Sequence, residues 1–166
     1  MLRLHLANTR GNILREDLSV LETDPIELQR QHEDFLSELH RLCREHGGVG
    51  IAANQVGIRA NFFFLTEGAK IPVKSGNKFT SQLCVNPTWE PDPKSKREVG
   101  HEGCMSLRGR DFLAERYTVI RATWKNALGH PQKKTLKGWA ARVFQHEHDH
   151  LIGRLLTDHA EEIKIR

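Results

Sequence analysis

Cysteine is scarce in this chain, and long apolar runs are absent. Three cysteines in 166 residues are too few, and an odd number, for the disulfide framework of a small secreted protein, so we expect a reducing, cytoplasmic compartment. No run approaches the roughly 20 apolar residues of a transmembrane helix, and residues 1–5 are too polar to begin a signal peptide. We therefore expect no membrane partner.

Aromatic residues are also few, at 7% of the chain, and the hydrophobic share of 38% is modest. The charged share of 28% is ordinary and gives no indication of disorder. A chain of this length can bury one core, so we expect residues 1–166 to form a single domain.

The formal net charge of +4 comes from basic residues that are scattered along the chain, without an interleaved aromatic motif. We interpret this charge as mostly solvated surface and expect no DNA partner. A weak attraction to ribosomal RNA remains the minor alternative.

The most informative segment is residues 145–151, which read QHEHDHL. Its surroundings predict a helix over residues 139–152 that ends at Gly153. On such a helix His146 and His150 lie about 40° apart on one face, so both rings can reach one ion.

In sites of this HExxH type the two histidines bind a divalent metal and the glutamate, here Glu147, takes a proton from the attacking water. The alternative interpretation is that a histidine-rich helix is simply a polar surface. The apolar residues around His146 and His150 place both rings on an inward face, and buried imidazoles need partners. A metal site is therefore favoured.

A third ligand must come from elsewhere, because a catalytic metal of this kind keeps three protein ligands and one open position. Downstream the candidates are Asp149, Asp158 and His159, although their spacing does not match a known downstream pattern. Upstream, Cys104 follows Gly103 in a glycine-flanked segment. A lone cysteine is more often a small core residue than a ligand, so the residues alone leave this choice open.

Three separated segments resemble the motifs of the peptide deformylase family. Residues 48–55 read GVGIAANQ, residues 102–106 read EGCMS, and residues 145–151 complete the set in the same order. The resemblance covers about residues 40–158. It implies a hydrolase of protein biosynthesis that removes the formyl group from N-formylmethionyl peptides or nascent chains and releases formate.

The resemblance also implies roles for individual residues. The metal ligands would be Cys104, His146 and His150. Glu147 would act as general base and then as acid, while Gln55 and the backbone N–H of Met105 would stabilise the oxyanion. Family members use ferrous iron in the cell and also accept nickel or zinc, so Fe²⁺ is the implied physiological ion. The residues that correspond to the family's methionine pocket are Val49, Gly50 and Val143.

One departure from the family pattern bears on the substrate. After Ser106 the family usually has an apolar residue and then proline, whereas Leu107 is followed here by Arg108. Two alternatives therefore stay open: a hydrolase of the same fold that acts on a different formamide, and a metal-binding relative without catalytic activity. The second is disfavoured because Glu147 and Gln55 are both present.

The coarse pattern of elements predicts an α+β fold, with antiparallel or mixed sheets packed around the metal-binding helix. A loop is predicted over residues 68–81 and an amphipathic helix over residues 25–45. The predicted apolar face of that helix consists of Ile26, Leu28, Phe35, Leu39 and Leu42. The predicted strands are residues 61–66, 82–89, 117–125 and 132–136.

Overall fold

The computed structural model describes residues 2–7, 12–32, 34–72 and 79–163. Its described part has two antiparallel sheets, of five and three strands, and three α-helices. None of the helices in these ranges is long and apolar enough to cross a membrane. The α+β class with antiparallel sheets is therefore confirmed.

The five-stranded sheet forms the larger layer, in the order β1-β2-β3-β6-β7. Each neighbouring pair is antiparallel, and four of the strands match the predicted ones within a few residues. All four residues of β2 are buried, as expected for a run of three phenylalanines and a leucine. The strands are β1 (Gly50–Ala52), β2 (Phe62–Leu65), β3 (Gln82–Pro91), β6 (Val119–Lys125) and β7 (Pro131–Lys137).

The three-stranded sheet has the order β4-β5-β8. It consists of β4 (Arg97–Gly103), β5 (Asp111–Tyr117) and β8 (Glu161–Ile163). The sequence pattern predicted neither β4 nor β5, apart from Tyr117 at the end of β5. The two strands are nevertheless in register along their whole length, from the Arg97–Tyr117 pair to the Gly103–Asp111 pair.

The prediction of one continuous helix over residues 25–45 is wrong. This segment is divided into α1 (Pro25–Arg30) and α2 (Phe35–Glu45), because Asp34 adopts a left-handed backbone conformation with φ of 53°. The turn between them holds only polar residues, so a continuous helix would gain no apolar burial there. Of the predicted apolar face, Ile26 is 46% exposed, whereas the other four residues are buried: Leu28, Phe35, Leu39 and Leu42.

The end predicted for α2 is confirmed, whereas the predicted loop begins with a short 3₁₀ turn. The helix ends at Glu45, as predicted, and Gly47 follows with φ of 67°. The start of the predicted loop, residues 68–69, belongs to one turn of 3₁₀ helix, Glu67–Ala69. Residues 73–78 of that prediction lie outside the described residues.

The third helix, α3 (Gly138–Leu151), packs on the larger sheet. The ring of Phe144 makes an edge contact with Phe63 at 4.9 Å and a tilted contact with Trp124 at 5.7 Å. The side chain of Gln145 accepts a hydrogen bond from the backbone N–H of Tyr117 and donates one to its carbonyl, at 3.0 and 2.9 Å. These contacts fix the helix between the two sheets.

The end of α3 is set by its close approach to an upstream segment. The helix ends at Leu151, and Gly153 has φ of 70°. A side chain at position 153 would place its Cβ 2.6 Å from the carbonyl oxygen of Arg15. The predicted glycine terminator is therefore confirmed, and both the backbone angle and the contact require glycine.

Candidate metal centre

Three candidate ligand atoms converge at the inner face of α3. Cys104, His146 and His150 each offer one atom, and these atoms all lie within 4.8 Å of one another. The Sγ atom of Cys104 is 3.3 Å from Nε2 of His150. Two imidazoles and one thiolate are a donor set that suits zinc, ferrous iron or nickel better than magnesium or calcium.

The charge state of Cys104 fits a ligand role. Burial alone would raise the pKa of its thiol, but the neighbouring rings of His150 and His146 lower that pKa well below its ordinary value. A thiolate is the form of cysteine that binds metals. The residues present therefore fit a divalent ion.

The other proposed third ligands are engaged elsewhere. Asp149 contacts Nη1 of Arg116 at 2.5 Å and lies 3.2 Å from Nε2 of His159. Asp158 pairs with Arg15 at 2.5 Å. The structure thus brings Cys104 to the two histidines, and it directs the two downstream carboxylates to other partners.

Glu102 holds the His146 ring, a role that the sequence analysis did not assign. Its carboxylate lies 2.9 Å from Nδ1 of His146, which leaves Nε2 of that ring for the ion. Burial alone would raise the pKa of Glu102, but hydrogen bonds from His146 and from Arg116 hold it well below the ordinary range. Glu102 is the penultimate residue of β4, and Cys104 directly follows the strand.

Two arginines support this carboxylate from the opposite side. Arg116 donates from Nε and Nη2 to the two oxygens of Glu102, both at 2.9 Å, and Arg142 donates from Nη1 at 2.8 Å. Arg116 also joins Glu102 to Asp149 on α3. Sequence reasoning missed both arginines.

Glu147 lies beside the three ligands with one carboxylate oxygen unoccupied. Its side chain is buried, and its Oε2 atom has no hydrogen-bond partner among the described residues. Burial raises the pKa of this carboxyl group. A buried acceptor without a partner is the arrangement expected of a group that receives a proton from bound water or substrate.

Gln55 has its amide oriented by two contacts. Its Oε1 atom accepts a hydrogen bond from the backbone N–H of Ala52 at 2.9 Å. The Nε2 atom therefore faces the centre, 3.7 Å from Sγ of Cys104 and 3.1 Å from Oγ of Ser106. In the described structure the N–H of Met105, the other expected oxyanion donor, has no acceptor.

A segment near the start of the chain fixes this arrangement, and no sequence pattern predicted it. The hydroxyl of Ser106 donates to the carbonyl of His5 at 2.7 Å, so it can accept from Gln55. The N–H of His5 donates to the carbonyl of Gln55 at 2.8 Å, and the N–H of Ala7 donates to that of Ser106 at 3.0 Å.

The three residues expected to contact substrate line one pocket with the candidate ligands Cys104 and His146. We name it the metal pocket; Val49 and Val143 give it apolar walls. At Gly50 the structure shows a more specific requirement: a Cβ there would lie 2.5 Å from Oε1 of Glu147. The missing side chain thus makes room for the carboxylate.

The family model described as Polypeptide deformylase matches residues 6–166. The chain belongs to the polypeptide deformylase family. Peptide deformylase of Bifidobacterium adolescentis is 34% identical over 140 residues, which are 81% of this chain and 64% of that protein. A Thermotoga petrophila deformylase is 39% identical over 80% of this chain and 74% of its own length.

Solved deformylase structures share the fold. The crystal structure from Thermotoga maritima has a TM-score of 0.77 at 32% identity and covers 96% of this chain and 97% of its own. A deformylase from Synechococcus elongatus, solved in complex with actinonin, has a TM-score of 0.77 at 28% identity, with 96% and 79% covered. The chain spans only 64% and 59% of the lengths of two Bifidobacterium deformylases.

Proposed function

We propose that this chain is a metal-dependent deformylase, which hydrolyses the N-formyl group of N-formylmethionyl peptides or nascent chains and releases formate. The observation that carries the proposal is the convergence of three metal-binding atoms with the unpartnered carboxylate of Glu147 and the oriented amide of Gln55. Each of these groups has a defined task in hydrolysis of a formamide.

Cys104, His146 and His150 would hold the ion. When bound, a divalent ion with one thiolate and two neutral imidazoles keeps one positive charge, which acidifies water and polarises a carbonyl group. Glu102 orients one ligand ring through Nδ1 of His146. The ligands and this carboxylate come from α3 and from β4 and the turn after it, so the relative position of helix and strand sets the geometry.

Glu147 moves the proton in this scheme. Its free carboxylate oxygen takes a proton from the attacking water and later gives it to the departing amine, which leaves in a neutral form. Because burial raises the pKa of this group, Glu147 is a stronger base toward the attacking water than an ordinary glutamate.

Gln55 and the backbone N–H of Met105 bind the oxygen of the formyl group as it gains negative charge. Each preorganised donor of this kind contributes about 3 kcal/mol to stabilisation of the transition state. Since Ala52 holds Oε1 of Gln55, the amide cannot turn its acceptor toward the oxyanion.

The methionine side chain would lie between Val49 and Val143 in the metal pocket.

We further propose Fe²⁺ as the cellular ion, with Ni²⁺ or Zn²⁺ as substitutes, and residues 1–166 as one catalytic domain. Three free cysteines, at positions 43, 84 and 104, support a reducing cytoplasmic location. We also propose a weak association with the ribosome, where a nascent-chain substrate would be met.

The test is formate release from formyl-Met-Ala-Ser by protein purified without oxygen and loaded with iron or nickel. We expect rapid release by the wild type, and a loss of about 100-fold or more in the Glu147→Gln variant at unchanged metal content. Glu115→Gln, on the exposed face of β5, is the matched control. Fully metallated protein that releases no formate would favour the different-formamide alternative.

A further inference from the structure

A second cleft, which we name the exit groove, opens from the metal pocket. It is lined on one side by residues 46–49 and on the other by residues 103–105 and 107–111. Metal pocket and exit groove share Gly48, Val49, Gly103, Cys104, Met105 and Trp139. A peptide whose formyl group lies at the metal centre therefore has a continuous path for the residues that follow methionine.

Arg108 places a positive charge on this path. Its side chain is exposed, and Nη2 lies 3.4 Å from Nδ1 of His46 on the opposite wall. In the described ranges no carboxylate pairs with Arg108. Its guanidinium thus keeps free donors where a bound peptide would leave the metal pocket.

The other charges of the groove do not duplicate this cation. Arg110 donates to both oxygens of Glu162, at 2.8 and 2.6 Å, so its charge is compensated. Asp111, half-buried on the same wall, is a negative charge that disfavours an anion next to it. Among the charged residues that line the exit groove, Arg108 is therefore the one suited to an incoming carboxylate.

We propose that Arg108 selects formylmethionyl peptides that carry an acidic side chain at the second or third residue. The inference rests on the proposed function and adds a substrate class to it. A guanidinium presents paired donors that match a carboxylate. Because the pair is exposed, the expected gain is modest, about threefold to tenfold in affinity at low salt, and added salt weakens it.

The test compares matched peptides on the nickel-loaded enzyme. The peptides are formyl-Met-Asp-Ala and formyl-Met-Ala-Asp, each beside its Asn analogue, with amidated C-termini so that the side chain carries the only added charge. We expect KM for the better Asp peptide to be about threefold to tenfold below that of its Asn analogue, with similar kcat. In Arg108→Gln this ratio should fall to one, while turnover of the Asn peptides is retained.

Arg59→Gln is the matched control, because it removes the same charge from a residue that lines neither cleft and pairs with Glu16. It should keep the preference for Asp. Equal KM values for Asp and Asn peptides, or a preference that survives in Arg108→Gln, would overturn the inference while leaving deformylation intact.

Binding provides a readout that does not need turnover. Titration calorimetry of the nickel-loaded Glu147→Gln variant with the same peptides should give the same Asp-to-Asn ratio in Kd, and the added Arg108→Gln change should abolish it. If the wild type releases no formate from any peptide, the proposed function fails. The calorimetric ratio then still decides whether Arg108 recognises the acidic side chain.

Discussion

The carboxylate of Glu102 lies 2.9 Å from Nδ1 of His146, and this contact links β4 to α3, the helix that carries two of the candidate ligands. The carboxylate cannot move freely toward the ring, because Arg116 and Arg142 bind it from the other side. A buried carboxylate held by two arginines is a fixed negative charge, and it orients the imidazole and raises the basicity of Nε2.

Replacement of Glu102 by glutamine should therefore weaken metal binding. Glu102→Gln preserves the size of the side chain but removes the charge that holds the ring of His146. We expect a loss of about 10- to 100-fold in metal affinity. The measurement is competition for Zn²⁺ against a chromophoric chelator at fixed pH.

Glu115→Gln on β5 is the control, since its pair with Arg97 is half exposed and neither residue lines the metal pocket. That variant should bind metal as the wild type does. If Glu102→Gln binds as tightly as Glu115→Gln, the carboxylate supports the fold but does not tune the metal centre.

Ser106 should affect turnover through Gln55. In Ser106→Ala, Nε2 of Gln55 loses its 3.1 Å partner, while Oε1 keeps its bond from Ala52. The amide then has more freedom around the oxyanion position, and small misplacements are costly in such sites. We expect kcat to fall by roughly 10- to 100-fold, with KM and metal content unchanged, in steady-state assays of formate release.

Ser81→Ala, which removes an exposed hydroxyl bonded to Glu67, is the matched control and should leave kcat unchanged. A purely structural role for Ser106 would instead lower the melting temperature and the amount of active enzyme, without a change in kcat per metal-loaded molecule.

Local sequence patterns were sufficient to predict α3 and to identify His146 and His150 as its two candidate ligands. The pattern consists of two histidines one turn apart, a glutamate beside the first and a terminating glycine. All of these residues lie within about four helical turns, so a local search finds them. The β4 strand has no such signal. Its only buried residue is Glu102, so a search for alternating apolar residues finds nothing.

The partners of Glu102 and Gln55 could not be found for a related reason. Glu102 is satisfied by Arg116 and Arg142, which lie 14 and 40 positions away. Nε2 of Gln55 bonds to Ser106, and the hydroxyl of Ser106 in turn donates to the carbonyl of His5, which lies 101 positions before it. Burial of a charged group depends on contacts that only the folded chain brings together, and composition and periodicity do not report them.

Thiol labelling should distinguish Cys104 from the other two cysteines. Cys43 and Cys84 are fully buried, and burial raises the pKa of Cys43 to about 12 and that of Cys84 well above its usual value. Cys104 lines the metal pocket and is only partly buried. With iodoacetamide at pH 7, metal-free protein should therefore be modified at Cys104 first, as measured by peptide mass spectrometry.

Bound Zn²⁺ should protect Cys104 from the reagent, and urea-unfolded protein should react at all three cysteines. Labelling of Cys104 at the same rate with and without the metal would remove it from the ligand set.

Gly153 should be far less tolerant of a side chain than Gly129, although both have positive φ, of 70° and 79°. A Cβ at position 129 meets nothing within 4 Å, so Gly129→Ala isolates the backbone strain, about 1–2 kcal/mol. At position 153 the Cβ would lie 2.6 Å from the carbonyl oxygen of Arg15. Gly153→Ala should therefore lower the free energy of unfolding by a further 1–3 kcal/mol or so, measured by urea denaturation of the zinc-loaded proteins.

Equal losses in the two variants would show that the segment around Arg15 moves aside at little cost. That outcome would conflict with the way this segment is joined to the end of α3, since the N–H groups of Leu18 and Ser19 both donate to the carbonyl of Leu151, at 2.7 and 3.2 Å. If Gly153→Ala lowers the free energy of unfolding by more than Gly129→Ala does, the extra loss comes from the close backbone approach. That approach is then the reason why α3 ends where it does. His150 precedes this end by a single residue, so the same contact sets the position of a candidate metal ligand.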